Sequence, residues 1–595
     1  MKLQKTRLGW IVTGEIANTQ PTKATTCNLS LQSLHEDVTK FWDIEECFSK
    51  RIMSGEEQAC EKHYQQHTIR DSLGSYTVRL PFKGNPDNLG DSYNIALKRF
   101  FSLERSLNKN PVHKEQYNAV LKEYEELGHM LKIKNETNTG YYLPHHSVVK
   151  TDSLTTKVRV VFDASAHSSS GLSLNDILMV GPTIQDDLFT IVTRFRCHKY
   201  VLTADIAKMY RQVKLHHDDR QYHKILWRES PSDPIRTYQL NTVTYGTASA
   251  PYLAIRTLHQ LAHDEGETHP RAAKILTRDF YVDNVLTGAN TLDEAIKIRD
   301  ELMQLTAKGE FLLRQWVSNE PSLIEPLQGN NIDNHLALDV ADGKKTLGLY
   351  WNASNDTLGY TIRQTESLQR ITKRTILSKI AQLFDPLGLL GPMIVKAKMI
   401  MQSLWKCQLS WDESIPFDIH TAWVTFESQL HIVRDLNIPR HVIPGHPQQI
   451  QLHGFCDASE QAYGACIYLR SVDSKQRITV RLLCSKSRVA PLKTQSLPRL
   501  ELCAAVLPIK LYTNINKAID IPINKKTFWS DSMTALHWIN TAPHTLKQFV
   551  ANRVSGIQQG SDPSQWRHVL SEGNPADFLS RGANPLCLDF SFKLL

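Results

Sequence analysis

Residues 277–288 read TRDFYVDNVLTG. Aromatic and β-branched residues on either side favour pleated strands, whereas Asp283 and Asn284 between them are turn formers. The stretch therefore reads as two short antiparallel strands folded about a tight turn. The turn offers one carboxylate, Asp283, with an amide beside it. The rest of the chain decides whether this is a surface hairpin or a site that holds cations.

A chain of 595 residues has room for roughly three to five domains. Hydrophobic residues make up 41% and charged residues 22%, which supports packed cores and excludes a disordered tail. The longest nearly apolar runs, such as Leu387 to Val395, carry Pro and Gly and are too short to span a bilayer. The N-terminal MKLQKTRLGWIVTGEI has no apolar core of signal-peptide quality, so an intracellular, non-secreted protein is expected. Ten cysteines without a CxxC pair suit reduced thiols. Cys60, His63 and His67 have metal-like spacing but lack a fourth ligand nearby and fall in a helical stretch. The net charge of +8 permits nucleic-acid binding without requiring it.

Periodicity divides the chain into five parts. Residues 1–30 read as a remnant rather than a domain. Residues 31–140 are mostly helical, interrupted by the alternating SYTVRLPF. In residues 141–330 strands and helices mix. Residues 331–445 carry a strand pair near KTLGLYW and then helices. The Pro/His-rich stretch 438–449 reads as a linker, and residues 446–595 form a further strand-and-helix domain.

Two sets of acids stand out. The strand YVLTADI ends near Asp205, and the hairpin brings Asp283. Carboxylates on neighbouring strands can hold two divalent cations, one to activate a 3′-hydroxyl and one to neutralise a triphosphate. Further on, Asp457 lies on a strand and Glu501 in the first turn of a helix. Asp531 ends another strand, and Asp577 lies near a helix start. That strand, helix, strand, helix order of acids suits two-metal phosphodiester hydrolysis.

KVRVVFDAS, with Arg159 and Asp163, resembles the fingers hairpin of reverse transcriptases, where a basic residue contacts the triphosphate. Tyr210 matches their ribose-excluding aromatic. TYGTASAP, with Tyr245, Gly246 and Pro251, resembles their template- and nucleotide-binding loop, and GEFLLRQWVSN the segment that grips the primer. FWDIEE, YYLPHHSVV, RVVFDAS, SLNDIL, ADIAKMYRQV, FDPLGLLGP and NPADFLSRG follow one another in order. Together they resemble the polyprotein of BEL/Pao long-terminal-repeat retrotransposons over roughly residues 1–582. RLGWIVTG resembles the last strand of that family's aspartic peptidase, but the chain has no D-T/S-G triplet. No integrase follows before Leu595, which reads as a fragment of a longer element.

The resemblance implies a multidomain α+β chain: a right-hand reverse transcriptase with fingers, palm and thumb, then a mixed-sheet α/β RNase H-like domain. It implies an RNA-directed DNA polymerase with ribonuclease H, and two Mg²⁺ or Mn²⁺ ions per active site. Asp205 and Asp283 would hold the first pair, and Asp457, Glu501, Asp531 and Asp577 the second, with His568 assisting product release. Its partners would be an RNA template, a DNA primer, dNTPs and RNA/DNA hybrids, inside a cytoplasmic virus-like particle, with peptidase and integrase as polyprotein neighbours. The family's turn reads Tyr-Val-Asp-Asp, so Asn284 replaces an acid and polymerisation is expected to be reduced or absent. Asp279, four residues before Asp283 on the same strand face, would lie about 13 Å away and is not expected to compensate. The alternative is a degenerate or domesticated copy that binds nucleic acid without catalysis.

Overall fold

The computed structural model describes residues 2–6, 9–13, 53–133, 140–149, 158–327, 335–337, 347–362, 370–445 and 447–587. Two compact units partition the chain: residues 1–45 with 491–494, and residues 46–490 with 495–595. In the first, Lys2–Thr6 and Gly9–Thr13 pair antiparallel. FWDIEE lies outside the described residues.

The second unit begins with helix α1 (Gly55–His67), opened by a capping box between Ser54 and Glu57, which satisfies two otherwise unpaired backbone donors. Cys60 is turned into the core, which accounts for its place in the helical period. Helices α2 (Tyr93–Asn108) and α3 (Pro111–Glu126) follow, then strand β1 (Val158–Phe162) and helix α4 (Leu188–Phe195). Strand β2 (Tyr200–Ile206) is central to a four-stranded antiparallel sheet. Helices α5 (Ala250–Glu265) and α6 (Pro270–Arg278) lead to strands β3 (Phe280–Tyr281) and β4 (Asn284–Ala289). Helix α7 (Leu292–Ala307) packs on β2 and β4, and strand β5 (Leu313–Ser318) completes the order β3-β4-β2-β5. The expected hairpin is present, and its turn holds Val282 at φ +56°. Asp279 is not on the strand. It caps the C-terminus of α6, 5% exposed, where Arg194 and Thr287 bind it at 2.6 Å each. It is thus consumed by a buried ion pair.

Strands β6 (Leu347–Asn352) and β7 (Thr357–Ile362) form an antiparallel pair. The motif FDPLGLLGP has a structural role: Asp385 accepts hydrogen bonds from Tyr360 Oη and from the amides of Leu389 and Leu390. These contacts seat helix α8 (Gly391–Lys406). Gly388 sits at φ +70° against the Ser485 carbonyl, where a Cβ would come within 2.0 Å. No other residue fits there without moving backbone.

The stretch expected as a linker is anchored through the buried side chain of Arg440. Arg440, 0% exposed, donates to Asp356 at 2.6 and 2.8 Å and to the carbonyls of Phe195, His198 and Lys199. Arg196, equally buried, donates to the carbonyls of Arg440, Leu483 and Pro439. Composition reads as a linker, and the two guanidinium forks tie it to distant backbone carbonyls. Arg440→Met is expected to cost on the order of 3–5 kcal/mol by stranding Asp356 and the carbonyls, read as a lowered thermal midpoint.

The C-terminal part is a five-stranded mixed sheet. Strands β8 (Pro447–Ala458), β9 (Ala462–Asp473) and β10 (Ile478–Val489) form an antiparallel meander. Helix α9 (Leu497–Ala518) then crosses over one face to strand β11 (Lys525–Ser530), which pairs parallel to β8. Parallel pairing requires such a crossover. After helix α10 (Gln548–Gly560), strand β12 (Trp566–His568) adds in parallel, giving the order β10-β9-β8-β11-β12. The short helix α11 (Asp577–Arg581) lies across β8 and β9. No helix among the described residues is long and apolar enough to cross a membrane.

Candidate functional site

The strand period determines what gathers at the end of β8. Asp457 is its penultimate residue, and Asp531 directly follows the neighbouring β11. Glu501 reaches in from α9, in the second turn rather than the expected first, because the helix begins at Leu497. One carboxylate oxygen from each of Asp457, Glu501 and Asp531 lies within 4.8 Å of the others. Asp457 is 4% and Glu501 7% exposed. Burial, then the charges of Asp457 and Asp531, push Glu501 up to about 8. Burial also raises Asp457 to about 6, against the lowering effect of its Ser580 hydrogen bond.

Glu501 Oε2 and Asp531 Oδ1 are buried without a hydrogen-bond partner. Three close carboxylates, two of them buried and two with an orphaned oxygen, suit a divalent cation, which would supply the missing partner and neutralise the charge. Asp577 lies outside that 4.8 Å set, though its charge adds to the raising of Asp457. At the start of α11 it accepts from Arg581 Nε at 2.6 Å. His568 is exposed on β12, in register with Ser530 and so beside Asp531.

Several residues that hold the acids were not singled out from sequence. Ser580 Oγ donates to Asp457, and Ser571 Oγ donates to Asp531 Oδ2 at 2.8 Å. Asn574 Nδ2 binds the Cys456 carbonyl at 3.0 Å, pinning the NPADFLSRG segment to β8. The available signal was spacing: Ser580 lies one helical turn after Asp577.

The titration of Glu501 has a measurable consequence. Its ordinary value is 4.5, so between pH 4.5 and 8 the folded protein holds more protons than the unfolded chain. Stability therefore falls with rising pH across that window, by up to about 1.4 kcal/mol per unit. Glu501→Gln removes this contribution to the slope. In chelator-treated protein its thermal midpoint is expected to match the parent near pH 4.5 and exceed it most at pH 8 and above, the gap closing when Mg²⁺ is added.

The second acidic site lies on the β3-β4-β2-β5 sheet. Asn284 and Arg314 both stand opposite Asp205 in register. Arg314 Nε donates to Asp205 Oδ2 at 3.1 Å, while Asp205 Oδ1 is buried without a partner. Asn284 Nδ2 donates to Asp283 Oδ1 at 3.1 Å. Burial raises Asp283, Asp205 adds to the effect, and the charges of Arg159 and Arg314 oppose it. Arg159, exposed on β1, is thus within electrostatic reach of Asp283, whereas Asp163 pairs with Arg99 at 3.0 Å. Tyr210 and Tyr245 pack with ring centroids 4.4 Å apart, and burial raises the Tyr210 phenol to about 12. Gly246, at φ +101°, lets its loop press on β1, where a Cβ would meet the Phe162 carbonyl at 1.8 Å.

Residues 372–532 match the model of the Pao retrotransposon-like RNaseH-like domain. That stretch, 161 of the 595 residues, is similar to the Pao retrotransposon-like domain. The Pao-like match takes in Asp457, Glu501 and Asp531 and ends before Asp577. No curated protein matches the chain. Among solved structures, the foamy viral protease-reverse transcriptase dRH in complex with double-stranded DNA aligns at 14% identity. The match covers 93% of this chain and 84% of that one, with a TM-score of 0.49. The foamy viral protease-reverse transcriptase in complex with RNA/DNA hybrid aligns at 14% identity over 95% and 65%, with a TM-score of 0.46.

Proposed function

We propose that the chain is an RNA-directed DNA polymerase joined to a ribonuclease H, in which the hybrid-cleaving site is the better preserved. The observation that carries this reading is the three-carboxylate cluster of Asp457, Glu501 and Asp531, with ligand oxygens within 4.8 Å of one another. Divalent cations bound there supply a nucleophilic water and stabilise the leaving oxygen. The chain's residues do the rest. Ser580 and Ser571 orient Asp457 and Asp531. Asp577, one helical turn from Ser580, completes the acids, and His568 stands at the open side, where product leaves. RNA/DNA hybrid is the substrate, recognised through 2′-hydroxyls across a wide minor groove.

Asp205 and Asp283 form the polymerase pair, with Arg159 toward the triphosphate and Tyr210 against the ribose. Tyr245 and Gly246 line the template side. The amide of Asn284 occupies the place of a third acid and ties up Asp283, so extension is weak. Template RNA, primer DNA and dNTPs are the partners, with peptidase and integrase as polyprotein neighbours in a cytoplasmic particle. Incubating the protein with a labelled RNA/DNA hybrid in Mg²⁺ tests this. Cleavage confined to the RNA strand is expected, and an intact RNA strand would overturn the reading in favour of a non-catalytic nucleic-acid-binding copy.

A further inference from the structure

The face of the C-terminal sheet that bears Asp457 also carries a second feature. Side chains alternate along a strand, so Asp457, Phe455, His453 and Gln451 of β8 share that face. Cross-strand register adds Tyr468 and Arg470 from β9, Trp529 and Lys525 from β11, and Arg567 from β12. Acids therefore lie at one end and aromatics in the middle, with Arg567 level with Trp529 two strands from β8, and Arg470 and Lys525 lie at the far end, about 20 Å along the strand from Asp457. Helix α11 covers the acid end and reaches the first aromatics, where Leu579 packs with Phe455, Cys466 and Tyr468.

Beyond it lie two cavities of about 300 and 390 Å³ that share His453 and Trp529 and so form one trough. Its floor is a stack. Trp529 lies parallel to Phe455 at 6.0 Å and to His453 at 6.2 Å. Trp529 Nε1 donates to His453 Nδ1 at 3.2 Å, which leaves Nε2 to carry the ring proton toward Gln451 Oε1 at 3.3 Å. Gln451 Oε1 also accepts from Arg470 at 3.3 Å. Burial, then Arg470 and Lys525, depress His453, so the ring stays neutral and fit for stacking. Among the described residues, no carboxylate lines either cavity, and Arg470, Lys525 and Arg567 have no carboxylate partner.

We propose that this trough binds single-stranded nucleic acid, unpaired bases stacking on Trp529 and His453 and phosphates meeting Arg470, Lys525 and Arg567. Flat aromatic faces flanked by cations that no carboxylate neutralises are the combination that holds single strands without base preference. A duplex keeps its base faces paired and stacked, so it cannot use the floor. An acidic polypeptide would satisfy the cations but leave the rings unfilled. The site goes beyond hybrid cleavage: it gives the unpaired flank of a hybrid a path leading away from the acids.

The test is photo-crosslinking of the full chain to a thymidine oligomer carrying 5-iodouracil, with the adducts mapped by mass spectrometry. Adducts on Trp529 or His453 are expected. The double variant Lys525→Glu, Arg567→Glu, altered only at exposed positions, is expected to reduce their yield about tenfold or more, and raised salt to reduce it in the parent. A polyglutamate competitor should have little effect. Adducts confined to other segments, or a yield unchanged in the double variant, would overturn the proposal. Displacement by polyglutamate as effective as that by unlabelled thymidine oligomer would instead make the trough a dock for acidic polypeptide.

Discussion

Asp457→Asn is expected to remove cleavage of the RNA strand of a hybrid while leaving the fold intact. The asparagine keeps the size of the side chain and an oxygen for Ser580, but it removes one negative charge from the cation-holding cluster. A unit charge about 4 Å away is worth roughly 4 kcal/mol at an effective dielectric near 20, which corresponds to about a thousandfold in rate. Stability should move the other way. Burial holds Asp457 at about 6, so above that pH the folded state carries a disfavoured charge that the amide lacks. The checks are single-turnover hybrid cleavage beside a thermal melt at pH 8. A variant that keeps more than a tenth of the parent rate would show that Asp457 does not hold the cation. A variant that melts far lower would show instead that the carboxylate is structural.

Asn284→Asp is expected to raise primer extension on an RNA template by about a hundred- to a thousandfold, by the same charge arithmetic applied in reverse. In the parent, the Asn284 amide donates to Asp283 Oδ1. The aspartate withdraws that donor, frees the Asp283 oxygen and places a further carboxylate directly opposite Asp205. Without cations, three close carboxylates repel one another, so the variant should melt lower than the parent in chelator and recover in Mg²⁺. Equal extension by both proteins would mean that Asp205 and Asp283 suffice, with solvent filling the remaining coordination. No extension by either, with hybrid cleavage intact, would leave ribonuclease H as the surviving activity and locate the polymerase lesion elsewhere.

Much of the scaffold was legible because the signals are local. Alternation in YVLTADI and HGFCDAS, with turn formers between apolar runs, specifies strands wherever they end up. The hairpin at residues 280–289, the strands bearing Asp205 and Asp457 and the helix bearing Glu501 all formed where those signals lie. Misreadings arose where a distant partner overrides local preference. Asp279 sits in a strand-like run, yet it caps a helix because Arg194, 85 residues away, needs a buried counter-charge. The stretch around Pro439 has linker composition, and nothing local announced that Arg440 would bind carbonyls more than 240 residues earlier.

The sequence by itself determined which residue types this protein has for holding cations, their order, and the strands and helices that carry them. Those depend on a side-chain period of two or 3.6 and on turn chemistry within a few residues. Tertiary structure alone decided which acids meet. It brought Asp457, Glu501 and Asp531 together, gave Asp577 to Arg581, set the Asn284 amide against Asp283, and lined up His453, Trp529 and three cations along one face. The reason is register: a strand's own residues determine which side chains share a face, but only the crossover and the buried core determine which strand lies beside it.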